Sequence, residues 1–291
     1  MRWKRGQTAG IEDRRAAGGG GLAMGLPGGM VGMGGGGGLV LLLIILALNV
    51  FGGGSGLGGA LDPFSGAVPQ QGAAPLDPAT DPDRDLVEFV GAVQTSTNDL
   101  WADVFARTQR EYVDAPLVLF DQATQSACGP ASSATGPFYC PLDGKMYLDL
   151  EFFRELSRRF GAPGDFAQAY VIAHEAGHHV QNLLGIAEEV RRGQQEDPAN
   201  ANRYSVALEL QADCLAGVWA RSVYQAGDLE AGDLEEGLAA AEAVGDDRVQ
   251  TSAGAAVNPE TWTHGSSEQR ATWFRRGFDT GDASACDTFA A

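Results

Sequence analysis

The chain has 291 residues, 44% of them hydrophobic, and a formal net charge of −18 at pH 7. That length and apolar content suffice for one large core plus accessory sequence and exclude disorder throughout. So acidic a balance excludes nucleic acid as an expected partner, because the phosphate backbone would be repelled.

The charge is uneven along the chain. Residues 1–17 hold Arg2, Lys4, Arg5, Arg14 and Arg15 against Glu12 and Asp13, and are predicted to be a basic tail. Residues 18 to about 38 are Gly-dominated, with no means of packing a core. The run from Leu39 to Phe51 contains no charge and, with the Gly-rich sequence before it, is long enough for one membrane span of about 20 residues. A secretory signal peptide shares the basic start and the short apolar core. Here the apolar run begins late, and Gly52-Gly53-Gly54-Ser55-Gly56 follows it in place of a small-x-small cleavage site. The expectation is therefore one retained transmembrane helix within 18–51, the amino terminus in the cytoplasm and everything after Phe51 outside. Residues 52–82, rich in Gly, Pro, Ala and Gln, read as a flexible linker.

Residues 83–291 form the predicted folded domain. Leu86, Phe89, Val90, Val93, Leu100, Trp101, Val104 and Phe105 recur at helical spacing over about 84–110. Leu117–Phe120 and Lys145–Leu150 read as short strands around a turn-rich loop, and Glu151–Phe160 as an amphipathic helix. A central helix runs from a capping Asp165 to a stop at Gly185. A polar connection over Arg191–Arg203 leads to a long helix over Ser205–Gln225 and a charged one over Asp228–Val244. Ser266 and Gln269 form a capping box opening a last helix through Arg276. The fold class is α+β, mainly helical with a small sheet.

Four cysteines, Cys128, Cys140, Cys214 and Cys286, suit a compartment where thiols pair. Three connectivities are open. Cys128 with Cys140 would close a short loop, and Cys214 with Cys286 would tie a helix to the carboxyl terminus; four free thiols are the alternative.

The central helix carries His174-Glu175-Ala176-Gly177-His178, an H-E-x-x-H pattern. Four residues advance an α-helix by about 6 Å and just over one turn, so His174 and His178 share a face and can converge on one metal ion. Glu175 projects beside them. A hydrolytic zinc site takes three protein ligands and keeps a position for water, which a neighbouring carboxylate deprotonates. The bland alternative is a core helix whose histidines merely pack. On the following long helix Glu209 and Asp213 stand four apart among apolar residues, where burial without a cation would be costly. Glu209 is the predicted third ligand and Asp213 the partner of a ligand histidine's other ring nitrogen, with the reverse assignment and a solvated acidic pair as alternatives. His264 is the candidate oxyanion donor. Arg270 orients His264, pairs with an acid of the site, or forms a surface ion pair. His179 points away from the pair and is expected to pack or to lie behind the ligands.

These residues resemble the putative neutral zinc metallopeptidases of bacteria. The resemblance covers nearly the whole chain: Ile11-Glu12-Asp13-Arg14-Arg15, Gly136 to Pro141, Gly164 to Tyr170, the H-E-x-x-H with His179, Glu209 to Cys214, Gly245-Asp246-Asp247, Thr263-His264-Gly265 and Gln269-Arg270. The spacing of Glu209 and Asp213 is also similar to that of thermolysin-like peptidases, whose third ligand is the glutamate. The resemblance implies a zincin-like zinc metalloendopeptidase, one Zn2+ ion, a peptide or protein substrate, and anchorage at a bacterial cytoplasmic membrane with the domain extracytoplasmic. The alternative is an inactive, zinc-stabilised envelope scaffold or binding module, against which Glu175 argues, since a structural zinc site needs no base.

Overall fold

The computed structural model describes residues 1–18 and 76–290. The predicted span and most of the predicted linker lie outside the described residues. Among the described residues no helix is long and apolar enough to cross a membrane.

The strands are β1 (Ile11–Asp13), β2 (Leu117–Phe120), β3 (Ala123–Ser126), β4 (Gly129–Ser132), β5 (Phe138–Cys140) and β6 (Lys145–Asp149). Four of them form a sheet in the order β1-β2-β6-β5. Its first three strands are parallel and β5 runs antiparallel to β6. All four residues of β2 are buried, as its unbroken Leu-Val-Leu-Phe sequence requires of an interior strand. The hairpin of β3 and β4 stands apart from this sheet.

The helices are α1 (Arg15–Gly18), α2 (Arg84–Arg107), α3 (Glu151–Arg158), α4 (Asp165–Leu183), α5 (Ile186–Glu196), α6 (Ala201–Ala226), α7 (Asp233–Ala243), α8 (Asp246–Ser252) and α9 (Ser267–Thr280). The central helix α4 packs against α2, α6 and α7, and α9 lies along α6. The α6–α9 approach is so close that a side chain at Gly277 would overlap the Cys214 carbonyl. Phe166, Tyr170, Ile172, Trp219 and Phe274 fill the space between these helices, with Phe166 stacked on Trp219 at 5.7 Å between ring centres.

Most predicted elements stand within a few residues of their expected bounds, and the Ser266 capping box forms both of its hydrogen bonds. Four expectations are corrected. The Arg191–Arg203 connection is largely helical, because Val190 and Gln194 of α5 turn one buried face inward. The turn-rich loop between Cys128 and Cys140 holds β4 and β5. Asp165 does not cap α4: Glu236 accepts the Phe166 N–H at 3.1 Å, while Asp165 holds the Met1 ammonium at 2.7 Å. Residues 1–17 are not a free tail, since β1 hydrogen-bonds to β2 and Arg15 is buried.

Both pairings named from the sequence are realised, Cys128–Cys140 and Cys214–Cys286, and no cysteine is free. Cys214–Cys286 closes a loop of 72 residues. On a chain-entropy account, a loop of that length restricts the unfolded chain by about 4 kcal/mol. Replacing both Cys214 and Cys286 by Ser is expected to lower unfolding free energy by several kcal/mol in urea titration, and native protein is expected to show no thiol reactive toward a thiol reagent.

Candidate metal centre

Helices α4 and α6 bring the three predicted ligands together. His174 Nε2 stands 3.2 Å from Glu209 Oε2, and His178 Nε2 stands 3.4 Å from Glu209 Oε1. Potential ligand atoms of the three side chains all lie within 4.8 Å of one another. The local cause is Gly177: a Cβ there would meet the Ala212 carbonyl oxygen at 3.0 Å. A side chain there would push α6 back from α4, and with it the carboxylate that reaches both imidazoles.

Each histidine is held by its other nitrogen. His174 Nδ1 lies 2.9 Å from Asp213 Oδ1, and His178 Nδ1 lies 2.8 Å from Gln181 Oε1. Both acceptors hold a proton at Nδ1, so each ring in its neutral form has its Nε2 lone pair on the Glu209 side, free for a metal ion. Gln181 is fixed in turn, donating to the Leu208 carbonyl at 2.7 Å and to Gln211 at 3.1 Å. Asp213, fully buried, accepts from Arg270 Nε at 2.8 Å and Nη2 at 3.0 Å, and from the Tyr170 hydroxyl. Of the three options for Arg270, the structure shows pairing with an acid of the site.

The electrostatics of this cluster favour positive charge between its carboxylates. Burial would lower the His174 pKa, but Asp213 and Glu209 push it up to about 10. Burial would raise the Glu209 pKa, but His178 and His174 hold the carboxyl well below its usual range. Two imidazole nitrogens and a carboxylate, set around a place that stabilises a cation, are the donor chemistry zinc takes. A second convergence of acids, Asp165, Asp233 and Glu236, lies where the Met1 ammonium already sits, 2.7 Å from Asp165 and 3.3 Å from Asp233.

The three ligands face a cavity of about 220 Å³ that Glu175, His264 and Arg270 also line. Its walls include Phe138, Phe152, Phe160, Val171, Leu208 and Val249. Burial pushes the Glu175 pKa above the usual carboxylate value. His264 is anchored by a residue the sequence reading did not single out. Asp246 Oδ1 lies 3.2 Å from His264 Nδ1, while its Oδ2 accepts the backbone N–H groups of Thr263, His264 and Gly265 at 2.8, 2.7 and 3.0 Å. Asp246 falls inside the Gly245-Asp246-Asp247 motif, which was the one signal available for it. His179 packs away from the cluster: its Nε2 donates to the Val113 carbonyl at 2.6 Å, and the Tyr139 hydroxyl lies 3.0 Å from its Nδ1.

Comparison with known proteins shows the family. The family described as "Putative neutral zinc metallopeptidase" matches residues 1–289. "Uncharacterized protein YpfJ" of Escherichia coli (strain K12) is 45% identical over 293 residues, covering 99% of this chain and 99% of that protein. "Uncharacterized protein Rv2575" of Mycobacterium tuberculosis (strain ATCC 25618 / H37Rv) is 45% identical over 213 residues, 69% of this chain and 70% of its own. No solved structure matches the chain.

Removing His178 or Glu209 is expected to abolish stoichiometric zinc binding in metal analysis of the purified protein. Asp213→Ala is expected to keep one site but weaken it by about 10- to 100-fold, the usual cost of losing a group that orients a ligand. His179→Ala should leave zinc content unchanged while lowering the melting temperature.

Proposed function

The chain belongs to the putative neutral zinc metallopeptidase family, and from that premise we propose that it hydrolyses peptide bonds, with one zinc ion held by His174, His178 and Glu209. The observation that carries the proposal is that the three ligands open onto the cavity shared with Glu175 and His264. A structural zinc site closes its fourth position with another ligand, so this openness disfavours the scaffold reading.

When bound, zinc supplies a Lewis acid that polarises the scissile carbonyl and acidifies water. Glu175 accepts the proton of the attacking water and passes it to the leaving amine. Its raised pKa suits both halves of that task, because a base nearer the working pH returns its proton more readily. His264 donates to the oxygen on which negative charge develops. With Nδ1 committed to Asp246, its Nε2 carries a proton only when the ring is the imidazolium. Burial opposes that state, but Asp246 and Glu209 raise the pKa and favour it. Asp246 is therefore a positioning residue: it fixes the ring and sustains its charge. The apolar walls exclude water and accept side chains flanking the scissile bond. The body is assigned to the outside of the cytoplasmic membrane, where two disulfides persist.

Glu175→Gln is expected to retain zinc and fold while turnover of a peptide library falls by at least about 10²-fold. His264→Ala is expected to lower kcat by roughly 10²- to 10³-fold with less change in KM, as for a bond completed in the transition state. Full-zinc wild type that cleaves no library peptide, with Glu175→Gln complementing a deletion strain, would return the scaffold reading.

The pH profile tests Asp246 separately. His264 must be protonated, and its pKa is raised in the folded protein, so the charged form is present below that pKa and lost above it. Asp246→Asn is expected to shift the alkaline limb of kcat/KM toward lower pH and to reduce kcat, with KM little changed. An unmoved alkaline limb would remove the role assigned to the pair.

A further inference from the structure

Residues 1–18 are built into the body that carries the metal centre. Strand β1 extends the sheet beside β2, with Ile11 opposite Leu117 and Asp13 opposite Leu119. The pairing continues past the strand: the Leu117 N–H donates to the Gly10 carbonyl at 3.0 Å and the Arg14 N–H to the Leu119 carbonyl at 2.7 Å. Buried Arg15 bridges Asp13 at 2.7 Å and Asp81 at 2.6 Å, so it joins the two ends of the 19–75 stretch directly. Lys145 meets Glu12 at 2.6 Å, and Trp3 packs edge-on against Phe89 with ring centres 5.6 Å apart. Gly91 of α2 is the contact that fixes the path: a Cβ there would overlap the Gln7 carbonyl and stand 3.3 Å from Thr8 Cα.

These contacts conflict with the topology expected from composition. A cytoplasmic tail and an external domain would be separated by about 30 Å of hydrocarbon, which no hydrogen bond spans. We infer that residues 1–18 and 76–290 lie on the same side of the membrane. The basic residues that argued for a cytoplasmic tail are largely taken up: Arg14 by Glu12, Arg5 by Asp85 and Arg15 by Asp13 and Asp81. The inference is independent of whether the metal centre cleaves peptides.

Two measurements on the full chain test it. Gly91→Ala sits inside a helix, where alanine ordinarily stabilises; with α2 free of the tail, it would raise Tm by about 2 to 4 °C. With the tail docked, the added methyl must displace Gln7 and Thr8, and Tm should fall by more than about 3 °C. An unchanged or raised Tm overturns the docking. Thr8→Cys and Thr272→Cys, both exposed, are then labelled with a membrane-impermeant maleimide in right-side-out and in lysed vesicles, the native cysteines being in disulfides. Matching accessibility at the two positions is expected. Labelling of Thr272→Cys in sealed vesicles with Thr8→Cys reached only after lysis would establish a single crossing and overturn the inference.

Discussion

The buried ion pair of Asp213 and Arg270 is the constraint on which the candidate metal centre depends. Asp213 has no solvent exposure and Arg270 has 3%. Neither charge is tolerable alone at such depth, and breaking a pair of this kind by removing one partner costs about 3 to 5 kcal/mol. The pair is viable because its remaining valences are used: Asp213 also receives His174 Nδ1 and the Tyr170 hydroxyl, and Arg270 also donates to the Val244 carbonyl at 3.3 Å. Well-packed apolar residues could fill the same volume without loss of stability. What they could not do is fix the tautomer and direction of His174, so the network is explained by the ligand it aims.

Meeting that constraint sets the helix arrangement. Tyr170 and His174 come from α4, Asp213 from α6 and Arg270 from α9, so all three helices must converge on one carboxylate. Gly177 permits the α4–α6 approach and Gly277 the α6–α9 approach. The residue after Asp213 is Cys214, and its bridge to Cys286 holds α6 to the carboxyl-terminal segment one position from the carboxylate. Gln211 strengthens the same attachment by donating to the Cys286 carbonyl at 3.0 Å. One stretch of α6, Glu209 to Cys214, therefore supplies a candidate ligand, the partner of another, and the covalent tie that keeps both in place.

That concentration explains what was legible in the sequence. His174, His178, Glu209 and Asp213 were readable because helical spacing is a local property: four residues apart means one face, whatever the rest of the fold does. Their meeting across two helices was inferred from the cost of burying acids, and the geometry agrees with it. Asp246 and Gln181 were not readable as parts of the site, because they act through partners 18 residues away or through a side chain whose rotamer only packing selects. Strands β1, β3, β4 and β5 escaped notice for a related reason. Each has only three or four residues, and β1, β3 and β4 lack the apolar alternation that marks a strand, so pairing with neighbours decides them.

The docking of the amino-terminal segment was hidden from the sequence for a different reason. Counting basic residues before an apolar run treats each charge as free in solution, and on that basis the tail belongs in the cytoplasm. A charge matched to a carboxylate on the protein's own surface no longer contributes to that count, and the match is invisible until the chain is folded. Arg15 shows this directly, since one of its acids is its near neighbour Asp13 while another, Asp81, lies beyond the whole Gly-rich stretch. The pairing also gives the segment a structural task. β1 closes one edge of the sheet, and β5 at the opposite edge places Phe138 in the wall of the cavity. A segment that composition alone assigns to the far side of a membrane thus completes the sheet whose other edge borders the metal centre.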